Sequence, residues 1–401
     1  MRVDLLSREY PPHVYGGAGV HVTELAKVLA ERIEVGVHCF EGARPADEQK
    51  IIVKGYEYCS EQEGANPALR TLGIDLQMAQ HCDQADLVHS HTWYANMAGH
   101  WAKNLYEIPH VVTAHSLEPL RPWKREQLGG GYNLSSWAEK TAYLAADAVI
   151  GVSHGMKDDI LRSYPQIDPD KVHVIHNGLD LADWQLPSDS QLVSHTLTKY
   201  GIDPDLPTVV FVGRITRQKG LPHFLQAVKQ IPASTQVVLC AGAPDTKEIE
   251  KEVRQLVDQL SGQRSGIVWI ENMMPHDDLV HILSSADVFV TPSIYEPMGI
   301  VNLEAAAMEL PVVGTATGGI PDCIAEGETG YLVPIDQLTD GSGTPTNPAK
   351  FHRDMAERIT DLIEHPDRAK QMGKAGRLRV EQKFSWQSVA DKTVALYRSL
   401  L

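Results

Sequence analysis

The sequence predicts an α/β protein made of two doubly wound, Rossmann-like domains. Three observations carry that reading. Short apolar runs rich in β-branched residues alternate with helix-period segments, the pattern of parallel strands covered on both faces by crossover helices. The alternation occurs in two sets, the second beginning at residue 208. The chain has 401 residues, 43% of them apolar, which is too long for one ordinary domain and rich enough for two cores.

The first set of strands reads as 2–6, 34–39, 87–90, 110–114, 148–152 and 172–175. The second reads as 208–212, 236–241, 266–270, 288–291 and 311–314. Segments 20–31 and 303–308 have helical character, as does the end of the chain, 385–401. The polar, Pro-containing stretch opening with Gln185-Leu186-Pro187-Ser188-Asp189-Ser190 suits a connection between domains. It divides the chain into a domain at 1–184, a linker at 185–206 and a domain at 207–384. The Gly/Pro-rich segment 339–348 reads as an exposed excursion rather than a break. No repeat of solenoid spacing is visible.

Bulk chemistry excludes several classes. With 36 Lys and Arg against 52 Asp and Glu, the net charge is −16, which argues against general nucleic-acid binding and against anionic membrane surfaces. A phosphate-binding enzyme remains compatible, because its cations need only be local. The five cysteines, Cys39, Cys59, Cys82, Cys240 and Cys323, are scattered and form no CxxC pair. That pattern fits a reducing compartment and core packing better than disulfides or a zinc knuckle. The N-terminus reads as a first strand, without the apolar run of a signal peptide. No segment approaches the roughly 20 apolar residues that span a bilayer. The expectation is a soluble, cytoplasmic protein.

Two segments carry the chemistry. Phe211-Val212-Gly213-Arg214-Ile215-Thr216-Arg217-Gln218-Lys219-Gly220 ends a strand and sets cations on a glycine-bounded turn. Tyr295-Glu296-Pro297-Met298-Gly299-Ile300-Val301-Asn302-Leu303-Glu304 runs from a Pro/Gly loop into a helix, with seven residues between its two carboxylates. Pro297 and Gly299 keep the first part out of the helix, so Glu296 is expected on the loop and Glu304 inside the helix. Such a set suits a nucleotide-sugar: cations for a diphosphate, helix-start amides, and carboxylates for sugar hydroxyls. The bland reading of Arg214 and Lys219 is a solvated basic turn. Glycine bracketing and the companion segment favour function, with Arg217 left to solvent or structure.

Taken together, the two segments resemble those of the retaining GT-B glycosyltransferases, and the likeness runs from Tyr10 to the last helix. It is nearest to the bacterial glycogen synthase group, including the actinobacterial-type enzymes that make maltose 1-phosphate. The resemblance implies two domains facing each other across a cleft, with the helix at 385–401 crossing back to the first domain. It assigns Glu296 to the hydroxyls of the transferred sugar and Glu304 to the ribose hydroxyls. The amides of Gly299, Ile300 and Val301 would meet phosphate or sugar, and the stretch Glu271-Asn272-Met273 would lie at the nucleobase. Arg214 and Lys219 would stabilise charge on the departing diphosphate.

In the first domain, Glu9-Tyr10-Pro11-Pro12-His13-Val14-Tyr15-Gly16-Gly17-Ala18-Gly19-Val20 is neither a dinucleotide fingerprint nor a Walker loop. Alone it reads equally as a tight strand–helix turn. The resemblance lays Gly16 and Gly17 over the donor diphosphate and the acceptor. His115 ends a strand, where a lone histidine is more often structural; here it matches a family histidine on the donor sugar's 6-hydroxyl. His91 and Glu118 are assigned to the acceptor side. His89 and His91 are expected on opposite faces of their strand, which argues against a shared metal. Glycogen synthases often carry aspartate where Thr92 stands, so the usual acceptor contacts do not transfer directly. Segment 118–132 holds both aromatic and cationic residues, suiting either a polymer or a phosphorylated small acceptor. Asn177-Gly178-Leu179-Asp180 matches a family motif read here as structural.

The expected activity is retaining transfer of glucose from ADP-glucose, or another nucleotide-glucose, to the 4-hydroxyl of an α-glucan in glycogen synthesis. The alternative acceptor is glucose 1-phosphate, giving maltose 1-phosphate. A nucleotide-sugar epimerase or a non-enzymatic nucleotide-sugar sensor on the same fold are the more distant readings. No cofactor and no metal are expected. The triplets Asp168-Pro169-Asp170 and Asp203-Pro204-Asp205 lie in turns away from the other motifs, and Arg214 with Lys219 makes a cation unnecessary. A homo-oligomer is compatible with the sequence.

Overall fold

The computed structural model describes residues 1–44, 51–121, 124–125, 129–338 and 342–401. It divides into two compact units, Met1–Gly178 together with Ser385–Leu401, and Leu179–Phe384.

Among the described residues, the first unit holds strands β1 (Arg2–Leu6), β2 (Glu34–Phe40), β3 (Ile52–Tyr56), β4 (Leu87–His91), β5 (His110–Ala114), β6 (Ala148–Gly151) and β7 (Val172–Val174). They form one parallel sheet in the order β3-β2-β1-β4-β5-β6-β7. The order reverses direction between β1 and β4, the switch point where doubly wound sheets hold ligands beyond their carboxyl ends. On one face, Val22, Leu25 and Leu29 of helix Gly17–Ala30 pack with Val3, Leu5 and Val35 of the sheet and with Val389, Val394 and Tyr397 of helix Trp386–Leu400. On the other face, Ile74 and Met78 meet Ala95, Ala98 and Ala102 from the helix after β4.

The last helix is therefore part of the first unit. Ser385 caps it by accepting from the Ser388 amide at 3.3 Å. Arg32 Nε donates to Asp391 at 2.8 Å. In the core, the Tyr397 hydroxyl lies 2.5 Å from His89 Nδ1, and His89 Nε2 lies 2.7 Å from Thr113 Oγ1.

The second unit holds β8 (Thr208–Arg214), β9 (Gln236–Gly242), β10 (Ile267–Ile270), β11 (Val288–Thr291), β12 (Val312–Thr315) and β13 (Gly330–Val333). The sheet is parallel, in the order β10-β9-β8-β11-β12-β13, with its switch between β8 and β11. Phe211, Phe224, Leu239, Val253, Phe351 and Ile359 centre its core.

Several expectations are corrected. The stretch 185–206 is not an extended linker. Asp189 caps helix Ser190–Tyr200 by accepting from the Gln191 and Leu192 amides. That helix belongs to the second unit, where Lys199 and Tyr200 both donate to Asp278 at 2.6 and 2.7 Å and Thr196 Oγ1 meets His281 Nδ1 at 2.8 Å. The division falls at Gly178–Leu179 instead. Strands β3 and β13 are additional: β3 is an edge strand whose apolar residues are interrupted by Lys54 and Gly55, and β13 is an edge strand that opens on Gly330, so neither gives a strong apolar run. In segment 339–348, residues 339–341 lie outside the described residues. The remainder is tied down, since Leu338 donates to Thr344 at 2.9 Å and Gln337 Nε2 to the Ile294 carbonyl at 2.6 Å.

Tyr397→Phe removes the hydroxyl but not the ring. It leaves His89 Nδ1 buried without a partner, a loss of about 1–3 kcal/mol. The expected result is a lower urea midpoint with an unchanged m-value; an unchanged midpoint counts against the helix being locked through this contact.

Candidate active site

In the second unit, β8 and β11 each end in a loop at the switch point. Gly220, at φ +66°, opens the helix after β8, and a Cβ there would stand 1.9 Å from the Pro292 carbonyl oxygen. Glycine is what lets the β8 loop touch the β11 loop, and the contact is closed by the Ile294 amide donating to Gln218 at 2.9 Å. Lys219 is thereby aimed at Glu296. Its Nζ donates to Glu296 Oε2 at 2.7 Å, and Ser293 Oγ donates to the same oxygen at 3.1 Å. The Glu296 side chain is only 7% exposed and that of Lys219 22%.

The Glu296 backbone is held from the loop after β12. Gly319 donates to the Glu296 carbonyl at 2.8 Å, and a Cβ on Gly318 would be 2.0 Å from that oxygen. Gly299, at φ +82°, precedes helix Ile300–Ala307. Asn302 ties this turn down, donating to the Gly299 carbonyl at 2.9 Å and accepting from Thr291 Oγ1 at 2.5 Å. The first amides of that helix, including Ile300 and Val301, have no carbonyl within the helix to bond, which makes the helix start a place for anionic oxygens. Glu304 lies in the helix, partly exposed, as its spacing predicts. Burial pushes its carboxyl up to about 7, with the Lys219 charge pulling the other way.

Arg214 departs from the expected convergence. Strand β8 runs two residues further than the apolar run, so Arg214 is the last strand residue and pairs with Asp245 at 3.0 Å on an exposed edge. Arg217 points to Glu252 at 3.8 Å, also exposed. Met273 is 97% exposed, so packing does not account for it. Its neighbour Glu271 is taken by a forked pair with Arg254 at 3.2 and 2.7 Å.

In the first unit, the glycine loop after β1 is organised by Glu9, a residue that sequence reasoning did not single out. Glu9 Oε2 accepts from the amides of Tyr15 and Gly16 at 2.7 and 2.8 Å. Gly19 is glycine because a Cβ would be 2.5 Å from the Glu9 carboxylate. Gly17 has no such reason: a Cβ there meets nothing within 4 Å. Gly16 and Gly17 are both exposed.

Beside that loop, His21 from helix Gly17–Ala30, His91 at the end of β4 and His115 just after β5 converge. His91 Nδ1 and His115 Nε2 are 3.0 Å apart. Burial drives His91 and His115 well below the usual imidazole range and His21 down to about 4, so all three are neutral at pH 7. The expectation for His89 and His91 is corrected. Positions i and i+2 share a face of a strand, and their rings lie 4.2 Å apart. Thr92 follows at φ +65°, a strained value for a β-branched residue that leaves no trace in a sequence.

Glu118 is not presented to solvent. It is 1% exposed, accepts from Ser135 Oγ at 2.5 Å and has Lys124 at 3.7 Å. Its amide donates to Glu139, whose carboxyl burial pushes up to about 8. These partners account for it as an internal structural group, so the acceptor assignment is withdrawn. Of the aromatic and cationic segment 118–132, residues 122–123 and 126–128, including Trp123, lie outside the described residues. The buried thiols of Cys39, Cys82 and Cys240 are pushed up to about 11 or 12, which makes them core residues rather than nucleophiles. No helix among the described residues is long and apolar enough to cross a membrane.

Comparison with known proteins shows the family and the fold. Residues 15–183 match the family model Glycosyltransferase Family 4, and residues 196–379 match Glycosyl transferases group 1. The chain is 48% identical to the alpha-maltose-1-phosphate synthase of Mycolicibacterium smegmatis and 49% identical to that of Mycobacterium tuberculosis, each alignment covering 100% of both chains. The glycogen synthase of M. tuberculosis is 26% identical over 99% of this chain and 94% of its own. Among solved structures, sucrose-phosphate synthase of Thermosynechococcus elongatus superposes with a TM-score of 0.77 at 22% identity, covering 100% of this chain and 98% of that one. Anabaena HepE in complex with UDP-glucose gives 0.76 at 20% identity over 100% of both. These two show the shared fold.

Glu304 generates a test. Burial holds its folded carboxyl up at about 7, above the 4.5 of a free glutamate. The native state therefore holds a proton that the unfolded chain has released, and its contribution is lost as pH rises from 4.5 through 7. Glu304→Gln is neutral at every pH. It should come close to the wild type in urea denaturation at pH 4, below the unfolded value, and exceed it at pH 8; the same difference from the wild type at both pH values would mean that Glu304 is not desolvated.

Proposed function

We propose a reaction from one premise: the chain belongs to the GT-B glycosyltransferases, in one family with the mycobacterial alpha-maltose-1-phosphate synthases. The reaction is retaining transfer of glucose from a nucleotide-glucose, with ADP-glucose the expected donor, to the 4-hydroxyl of glucose 1-phosphate. The near relatives favour this acceptor over the α-glucan that the sequence reading put first, since the glycogen synthase is the more distant match.

The observation that carries the proposal is the Lys219–Glu296 pair, 2.7 Å apart at the β8/β11 switch point and next to a helix start. The donor diphosphate would rest on the amides of Gly299, Ile300 and Val301, with Lys219 and Arg214 neutralising the charge that grows as the sugar–oxygen bond breaks. Glu296 accepts hydroxyl protons from the sugar, and Glu304, as its carboxylate, accepts those of the ribose. Met273 offers an apolar face to the base. From the first unit, Gly16 and Gly17 leave backbone bare of side chains for a diphosphate, and neutral His115 bonds the sugar's 6-hydroxyl. The acceptor attacks from the face the leaving group departs, and a phosphate oxygen takes its proton. No metal has a step in this scheme.

Lys219→Ala should lower turnover far more than nucleotide affinity, because its charge is needed most as the diphosphate leaves. Turnover within threefold of the wild type would remove Lys219 from the reaction.

The acceptor is tested with ADP-glucose and UDP-glucose against glucose 1-phosphate and glycogen, following nucleotide release. The expected result is release at least tenfold faster with glucose 1-phosphate. Faster release with glycogen would return the reaction to glucan elongation, and an altered sugar in the absence of acceptor would make it an epimerase.

A further inference from the structure

We propose that His21, His91 and His115 form a binding site for a divalent transition-metal ion of the Zn2+ or Co2+ class. One ring nitrogen from each residue lies within 4.8 Å of those of the other two. The ring centroids are separated by 4.8 Å (His21–His115), 5.3 Å (His91–His115) and 5.5 Å (His21–His91). A tetrahedral zinc site predicts nearly this triangle. With Zn–N near 2.0–2.1 Å, each ring centre lies about 3.2 Å from the metal, and the tetrahedral angle sets the centres about 5.2 Å apart.

The nitrogen geometry is equally close. Two ligand atoms on a tetrahedral zinc are about 3.3 Å apart. His91 Nδ1 and His115 Nε2 stand at 3.0 Å, so a few tenths of an ångström of opening would seat the ion where the rings now share a proton. His21 Nδ1 is buried with no hydrogen-bond partner, and His91 Nε2, likewise buried and unpartnered, would carry that ring's proton while Nδ1 holds the ion. The three residues come from a helix, a strand end and a strand-end loop, rigid elements that hold such a triangle without closing it.

Chemistry favours the same ligand. The rings are neutral, so a metal ion meets no competing charge. His21 and His91 are buried while His115 is partly exposed, which leaves a path by which an ion can enter. His89, tilted against His91, is committed to Tyr397 and Thr113 and is not a ligand. The other buried candidate, Asp4 with His38 and Cys82, is poorer. Both nitrogens of His38 are already bonded, to Asp4 and Tyr56, and the Cys82 thiol is pushed up to about 12.

Occupancy would withdraw His115 from a substrate hydroxyl, so the ion would act as an inhibitor rather than a cofactor. This consequence rests on the proposed function; the binding does not.

The test uses the full chain, stripped with chelator and titrated with CoCl2 and then ZnCl2 by calorimetry and visible absorption. The expected result is one equivalent of Co2+ with the intense d–d bands of a four-coordinate site, displaced by Zn2+. His91→Asn and His115→Asn should each weaken binding on the order of 100-fold or more, as loss of a direct ligand costs at least what loss of an outer-shell partner does. The exposed His195→Ala should leave it unchanged. His115 lies at the partly exposed rim, so His115→Asn is the variant least able to disturb folding, checked by circular dichroism. Undiminished binding in both variants, or a thiolate charge-transfer band, would overturn the site. Tight binding without inhibition of glucosyl transfer would keep the metal site and remove His115 from the donor sugar.

Discussion

The ion pair between Lys219 and Glu296 is the constraint around which the second unit is arranged. A carboxylate as buried as Glu296 costs several kcal/mol unless a counter-charge and hydrogen bonds compensate. Lys219 and Ser293 provide them, and the surrounding backbone exists in the form that lets them do so. Gly220 permits contact with the β11 loop, and Gly318 permits contact with the Glu296 carbonyl. Loops after three different strands are thus cross-linked into one frame before any ligand arrives. The charge arrangement of these loops is set by the fold rather than by a ligand.

The two units reuse one topology with opposite chemistry. Each sheet reverses its strand order between two central strands, and in each the polar residues gather just past those strands. In the second unit the gathered groups are charged and paired. In the first they are imidazoles held neutral by burial, beside a loop whose conformation depends on the Glu9 carboxylate. A charged, water-excluded pair suits a diphosphate, whereas a cluster of neutral donors and acceptors suits hydroxyls. That division follows from burial and charge.

Much of this was legible in the sequence, for identifiable reasons. Central parallel strands such as β1, β5 and β11 are buried on both faces and declare themselves as apolar runs. Edge strands β3 and β13, whose apolar residues are interrupted or preceded by glycine, do not. The helix at Ser190–Tyr200 was hidden because its Asp189 cap sits in a Pro/Ser stretch that reads as linker. Lys219, Glu296 and Glu304 could be found because glycine, proline and spacing mark them. Arg214 stands apart from Lys219 because the sequence could not show β8 continuing two residues beyond its apolar core. Glu118 was assigned to the acceptor side because the partners that bury it, Ser135 and Glu139, follow it by 17 and 21 residues and leave no local mark. The histidine triangle joins three separate elements and has no linear signature.

The way the cations are already paired bears on the order of events in the proposed reaction. Arg214 and Asp245 form an exposed pair, and such pairs are worth only about 0–1 kcal/mol, so Arg214 can turn to a diphosphate at little cost. Lys219 cannot do the same, because leaving Glu296 would strand a buried carboxylate. A bound diphosphate must share Lys219 with Glu296, which brings two anions toward one cation. That crowding is relieved only when a sugar supplies hydroxyl donors to Glu296. The intact nucleotide-sugar satisfies both groups at once, whereas the nucleotide left after transfer satisfies one. Repulsion from Glu296 then opposes retention of the product, so the carboxylate that orients the sugar also helps to expel the leaving group.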